Sequence, residues 1–400
     1  MSGLSGYLKR MQDSVANRVE ELEDIIWELA LFLHKNPEIG GEERVSCQKI
    51  VEILSEHGFE VKTGVAGLGT AFVAKAVGRA ERPCVAFLAE YDALPEIGHA
   101  CGHNLIAAAS VGAGLAVASV INELDGSVAV VGTPGEENIG GKAIMAEAGV
   151  FEQFDAALMF HPGDRNSLDQ RLLALDPVKF TFIGKPAHAS VAPHLGRDAL
   201  DAIVLFINAV NALREHVPPD VRMHGIIVEA GVAPNIVPER AVAKFYVRAL
   251  TRETLDEVTK RVVDCAKGAA IATGCQMEWE FYERKLDNMV VNDVLTELFK
   301  KNVEALGITK FETYETLGSS DVGNVSRIIP TIQPSLAIAP RGIEVHTREF
   351  AEAAASEQGK RATIIAAKAL ALTAVELLVN QELLERAKRE LEEKVKAQAR

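Results

Sequence analysis

The sequence predicts an α/β fold in which a large discontinuous domain, built on a mixed, mainly parallel sheet flanked by helices, is interrupted by a smaller inserted α+β domain of ferredoxin-like order. Two observations carry this. Short, almost wholly apolar runs, CVAFLAE (Cys84 to Glu90), SVAVVGTP (Ser127 to Pro134) and AALMFHP (Ala156 to Pro162), alternate with helical stretches at Leu105 to Glu123 and Gly141 to Ala148. Runs of this kind are the pattern of buried parallel strands in an α/β domain. From Val178 to Phe281 the texture then changes to strand, helix, two strands, helix and a last short strand, the order of a split α+β unit. The larger domain is placed at 1–177 and 291–400, the smaller at 178–290.

Taken in order, Val19 to Leu33 repeats apolar residues at helical spacing, and a second amphipathic helix is expected over Cys47 to His57. A glycine-rich turn at Gly64 to Gly69 leads into AFVAKAV, read with the other apolar runs as a buried parallel strand. In the insertion the strands are VKFTFIG, HGIIVEAG, AVAKFYVRAL and QMEWEFY, with helices at Asp198 to Glu215 and over ETLDEVTKRVVDCAKGAAIAT. A helix at Asp293 to Leu306, a strand at TIQPSLAI and a long helix from Glu349 to Asn380 return to the first texture. The charged run ELLERAKRELEEKVKAQAR reads as a solvated helix end.

Composition narrows the function. With 48% apolar residues in 400, the chain can bury a large core. A net charge of −14 repels phosphate backbones and anionic headgroups, so no nucleic-acid or membrane partner is expected. No apolar run approaches the roughly 20 residues that span a bilayer, and the acidic start suits no signal peptide, which points to a cytoplasmic protein. Five scattered cysteines suggest no disulfide framework.

In open α/β sheets ligands bind at the carboxyl ends of the strands. There the sequence places YDALPEIGHACGHN, GEEN and His161, gathering Asp92, His99, Cys101, His103, Glu136, Glu137 and His161. This mixture of nitrogen, oxygen and sulfur donors suits zinc or manganese. Adjacent carboxylates on a loop point in different directions, so one could hold a metal while the other moves a proton. Taken singly, Cys101 also suits a small buried position, His103 a helix start, and Glu136 and Glu137 a solvated loop. Cys101 beside a histidine could equally be a thiol nucleophile. No Walker-type phosphate loop is present, and the glycines of VGAGLA fall inside a helical stretch.

The ordered segments HKNPEIGGEE, YDALP, GHACGHN, GTPGEEN, MFHP, GKPAHAS, PNIVPERA, GSSDVG and EVHTREF resemble the aminoacylase and carboxypeptidase family of two-metal metallopeptidases. The match is to its amidohydrolase branch, which includes hippurate, auxin-conjugate and p-aminobenzoyl-glutamate hydrolases and β-alanyl dipeptidases. It extends over nearly the whole chain. It implies two divalent ions per subunit, zinc or manganese, held by Cys101, His103, Glu137, His161 and His346, with Glu136 as general base. Glu90 stands where the carboxypeptidase pattern has a histidine, so Asp92 is given only an orienting role. The insertion resembles a lid and dimerisation domain, implying a homodimer in which His188 reaches the partner's site to stabilise the oxyanion. Asn235 and Arg248 match positions that hold the substrate, and Gly318, Ser319 and Ser320 match a turn beside its tail. The expected reaction is hydrolysis of an amide or peptide bond in a small N-acyl amino acid or dipeptide-like substrate. A catalytically dead binding subunit and a metal-free cysteine hydrolase are the alternatives.

Overall fold

The apolar runs become the strands on which the rest of the molecule is assembled. A computed structural model describes residues 2–398 apart from Thr316; Met1, Ala399 and Arg400, at the ends of the predicted domains, lie outside the described residues. The first part contains α1 (Ser2–Glu21), α2 (Glu23–Lys35), α3 (Arg44–Glu56), β1 (Glu60–Thr63), β2 (Phe72–Val77), β3 (Cys84–Ala89), α4 (His103–Ala118), β4 (Ser127–Gly132), α5 (Gly141–Glu147), β5 (Ala156–Leu158) and β6 (His161–Gly163). Next come β7 (Ala174–Ile183), α6 (Ala199–Leu213), β8 (Arg222–Ala230), β9 (Arg240–Ala249), α7 (Arg252–Thr273) and β10 (Gln276–Phe281). The last part contains α8 (Asp293–Ala305), α9 (Val322–Ser326), β11 (Thr331–Ile332), β12 (Ser335–Ala337), α10 (Arg348–Ala353), α11 (Glu357–Val379) and α12 (Gln381–Gln398).

A six-stranded sheet in the order β1-β2-β4-β3-β5-β11 joins the first and last parts of the chain. Its two faces follow from the period-2 alternation of strand side chains. Val85 and Phe87 of β3, with Val128 and Val130 of β4, face the core shared with α1, α2, α4, α8 and α11. Ala86, Leu88, Ala129 and Val131 face a second core under Met145, Phe151 and Val325. A four-stranded antiparallel sheet, β10-β7-β9-β8, forms a separate core with α6 and α7. There Phe206 packs between Phe180 and Phe245 at centroid distances of 4.6 and 5.1 Å. This is the ferredoxin-like order predicted for the insertion.

Five expectations are corrected. AFVAKAV (β2) runs antiparallel to both β1 and β4, so only β4-β3-β5-β11 is parallel. AALMFHP and TIQPSLAI each give two strands, β5 with β6 and β11 with β12, which pair in two different sheets. Pro334, which cannot donate to a ladder, sits at the break and accepts from the His161 N–H at 2.9 Å. The helix at Val19 to Leu33 is two helices meeting at Leu22, and the helix at Glu349 to Asn380 restarts at Ser356, whose hydroxyl accepts from the Gly359 N–H at 3.1 Å. The charged tail is docked rather than solvated: α12 buries Leu384, Ala387 and Leu391, and its Glu390 accepts from the first N–H groups of α8. The fifth is the expectation that no apolar run nears bilayer-spanning length: α11 is long and apolar enough to cross a membrane, but packs against α4, α1 and α8 as a core helix.

Candidate active site at the carboxyl ends of the strands

Four loops converge where β3, β4 and β5 end. After β3 the chain places Glu90 and Asp92, both buried, and then turns into α4 through Cys101 and His103. Gly102 sits at φ +76°, and a Cβ there would lie 2.4 Å from Pro162 Cγ, so only glycine lets the start of α4 lie against β6. After β4 comes the loop carrying Glu136 and Glu137, and at β6 comes His161. His346 enters from the loop before α10 with φ +66°, a left-handed conformation that costs a non-glycine residue energy. Its N–H is held by the Ala100 carbonyl at 2.8 Å.

The side chains meet closely. His103 Nδ1 lies 2.9 Å from Asp92 Oδ1, and Asp92 Oδ2 accepts from the Glu137 N–H at 3.0 Å. This fixes the His103 ring with Nε2 toward the cleft, 3.3 Å from Glu90 Oε2 and 4.0 Å from Glu137 Oε1. Cys101 Sγ and His161 Nε2 are 3.6 Å apart, and His346 Nε2 is 3.1 Å from Glu137 Oε1. Among the described residues three sets of donor atoms each lie within 4.8 Å of one another: Cys101, His103 and His161; Cys101, Glu137 and His346; His103, Glu136 and Glu137. The buried Glu90 oxygens and His103 Nε2 make no aligned hydrogen bond, although ion partners stand close to them. Sulfur, imidazole and carboxylate donors with open lone pairs are what a divalent transition metal takes.

Charge shapes the proton affinities. Burial, then the charges of Asp321, Glu90 and Glu137, push Glu136 well above the ordinary carboxylate value. Burial opposes ionisation of Asp92, but the His103 ring, the Glu137 N–H and Lys142 together outweigh it and hold Asp92 low. Burial likewise lowers His103, and Asp92, Cys101 and Glu90 more than reverse this. Burial pushes the Cys101 thiol well above its ordinary value.

The remaining sequence-predicted residues form two other groups. Arg248 on β9 donates to Ser319 Oγ at 3.0 Å, linking the four-stranded sheet to the turn at Gly318 to Ser320, while its buried Nε has no partner. His188 and Asn235 stand on neighbouring exposed loops, joined by the Ala189 N–H to Asn235 carbonyl bond at 3.0 Å. The hydrogen bonds of the His188 ring are to its own loop, at Ser190 and Val191, and not to the donor cluster. Sequence reading missed Lys142, a buried lysine 2.6 Å from both Glu90 and Asp321, and gave Asp321 no role although it lies in GSSDVG. Apart from its place just past Gly140 and Gly141, nothing marks Lys142 in the sequence.

Comparison with known proteins bears on the family and the fold. Residues 176–273 match the model of the M20 peptidase dimerisation domain. The chain is 36% identical over 406 residues to the Xaa-Arg dipeptidase of Mus musculus, covering 96% of this chain and 92% of that one. It is 29% identical to one of the polypeptides of the p-aminobenzoyl-glutamate hydrolase of Escherichia coli, over 93% and 92% of the two chains. The YXEP protein of Bacillus subtilis, described as a dinuclear metal binding peptidase, shares the fold with a TM-score of 0.70 over 90% of this chain and 99% of that one at 22% identity. The chain belongs to the M20 family of metallopeptidases, as a dipeptidase or amidohydrolase.

Proposed function

We propose that the protein hydrolyses the amide or peptide bond of a dipeptide-like or N-acyl amino acid substrate at the Glu136 cluster. The observation that carries this is the meeting of three donor sets, one of which includes Glu136, a carboxylate whose proton affinity is raised by burial and by its acidic neighbours. Two divalent ions, zinc or manganese, held by Cys101, His103, Glu137, His161 and His346, would supply Lewis-acid activation of the water and the scissile carbonyl. Asp92 holds the tautomer of His103. Glu136 takes the proton of the attacking water on its carboxylate and returns it to the leaving nitrogen. Arg248, Asn235, Gly318 and Ser319 orient the substrate's carboxylate and tail. The raised Cys101 thiol disfavours a metal-free thiolate nucleophile.

The inserted unit, placed at 178–290, supports a homodimer. Its edge strand β8 exposes Ile226 (66%), Ile227 and Val228, and the adjacent α6 exposes Val204 and Leu205. An uncovered apolar edge strand is a pairing surface. In such a dimer His188 acts in the partner's site as oxyanion donor.

Removal of metal by chelator followed by reconstitution with zinc or manganese, and a screen of dipeptides with a basic second residue, p-aminobenzoyl-glutamate and N-acyl amino acids, tests the reading. Activity lost and regained with metal is expected; activity indifferent to chelator contradicts it. Mixing inactive Glu136→Ala and His188→Ala chains restores about one quarter of wild-type activity if His188 works across the dimer, since half the random dimers hold one complete site. No recovery after confirmed chain exchange rejects the shared site.

A further inference from the structure

Beside the Glu136 loop lies a buried ammonium that the hydrolytic reading does not use. Lys142, in the first turn of α5, has no solvent exposure, and its Nζ stands 2.6 Å from both Asp321 Oδ1 and Glu90 Oε1. Its backbone N–H donates to Asp321 Oδ2 at 2.8 Å, so Asp321 grips the residue at two points. Glu90 in turn carries the contact to His103 Nε2 at 3.3 Å. The chain of contacts runs from the residue preceding α9, through α5, to the end of β3 and the start of α4.

The backbone is built for this arrangement. Gly141 passes so close to Pro134 that a Cβ would lie 1.8 Å from the Pro134 carbonyl oxygen. Gly140, at φ +66°, donates to the Gly135 carbonyl at 2.9 Å and closes the loop that carries Glu136 and Glu137. A Cβ on Gly323 of α9 would lie 1.8 Å from the Asp287 carbonyl oxygen. Glycine at these positions seats α5 against the Glu136 loop and α9 against the Asp287 segment, and Lys142 lies between Asp321 and Glu90. Stability is a weak reason for such a cluster, because apolar replacement of a buried ion pair is often neutral or stabilising. Burial by itself would push Lys142 down, yet Asp321, Glu90 and Glu136 hold it above the ordinary lysine value, so it stays charged.

We propose that Lys142 is a positioning residue of the hydrolytic reaction: its ammonium, clamped between Asp321 and Glu90, holds the Glu136 loop and His103 at the spacing the proton transfer requires. This rests on the hydrolytic reading above. The test compares Lys142→Met with Lys142→Met/Asp321→Asn, measuring metal content, thermal midpoint of the metal-stripped protein, KM and kcat. The single variant leaves two carboxylates without their cation and loses thermal stability; the double variant returns the cluster to its original net charge and regains it. Both keep metal and KM, and both lose about 100-fold in kcat, the cost of a misplacement near 1 Å. A double variant that regains wild-type kcat along with its stability would make Lys142 a structural counter-charge only and overturn the proposal, as would a single variant with wild-type kcat. If Lys142→Met does not fold, the double variant decides alone. A wild-type protein that hydrolyses no amide overturns both readings, whereas an active wild type matched by the variants overturns this one alone.

Discussion

The six-stranded sheet buries carboxylates at both ends of the same strands and treats them in opposite ways. At the amino ends, Asp155 precedes β5 and every lone pair it offers is answered. Arg82 Nη2 and Lys388 Nζ each lie 2.8 Å from Oδ1, while Arg82 Nε at 3.1 Å and the Cys84 N–H at 2.7 Å reach Oδ2. Burial works against ionisation there, but Arg82, Lys388 and the Cys84 N–H hold Asp155 below its ordinary value. At the carboxyl ends, Glu90 has two buried oxygens without an aligned hydrogen bond, and burial with three like charges drives Glu136 the other way. A carboxylate that holds the fold together is satisfied by the protein. At the carboxyl ends the carboxylates instead crowd one another around Lys142 and the donor cluster, a setting typical of functional sites.

Breaking the two ends separately should separate activity from stability. Glu136→Gln is expected to lose about 10²–10⁴-fold in kcat, the range of general acid–base catalysis, while its metal content, KM and thermal midpoint stay at or above wild type. Glu137→Gln instead loses metal; identical behaviour of the two variants would erase the distinction drawn between them. At the other end Asp155→Asn should cost about 1–3 kcal/mol in denaturant unfolding, because Arg82, Lys388 and the Cys84 N–H lose a charged acceptor, and leave kcat per folded molecule unchanged. A fall in kcat of that variant would mean that the two ends are coupled.

The smallest effect is a pH dependence. Asp155 has a folded value below its unfolded one, so its stabilisation is fully present above the ordinary carboxylate range, about pH 4, and is lost as pH falls through the folded value. The stability difference between wild type and Asp155→Asn should therefore shrink on acidification below about pH 4. A difference that is flat across that range would show that Asp155 titrates alike in the folded and unfolded chains, so that Arg82 and Lys388 do not hold it low.

The two ends also differ in how legible they were. β3 and β4 could be read because they are buried on both faces and so apolar at nearly every position, and the cluster could be read because its donors follow those runs directly. The ordered motifs then favoured a metal site over a thiol nucleophile, which stayed as an alternative. What escaped was whatever depends on contacts distant in sequence. The direction of β2 is set by its pairing with β1 and β4, and the seat of α12 by Glu390 meeting the start of α8. Asp155 and Arg82 look like ordinary surface charges until the strand ends bring them together. Lys142 is the extreme case, since a lysine in a helical run reads as solvated and its burial is explained by Glu90 and by Asp321, 179 residues away.

The central claim is that Cys101, His103, Glu137, His161 and His346 form a metal centre, and counting metal tests it most directly. Metal analysis after mild purification, made side by side on wild type, Cys101→Ala and His161→Ala, is predicted to find up to two transition-metal ions per wild-type chain and reduced occupancy in each variant. Full retention of metal by both variants, or a wild-type protein that takes up no divalent ion, would contradict it.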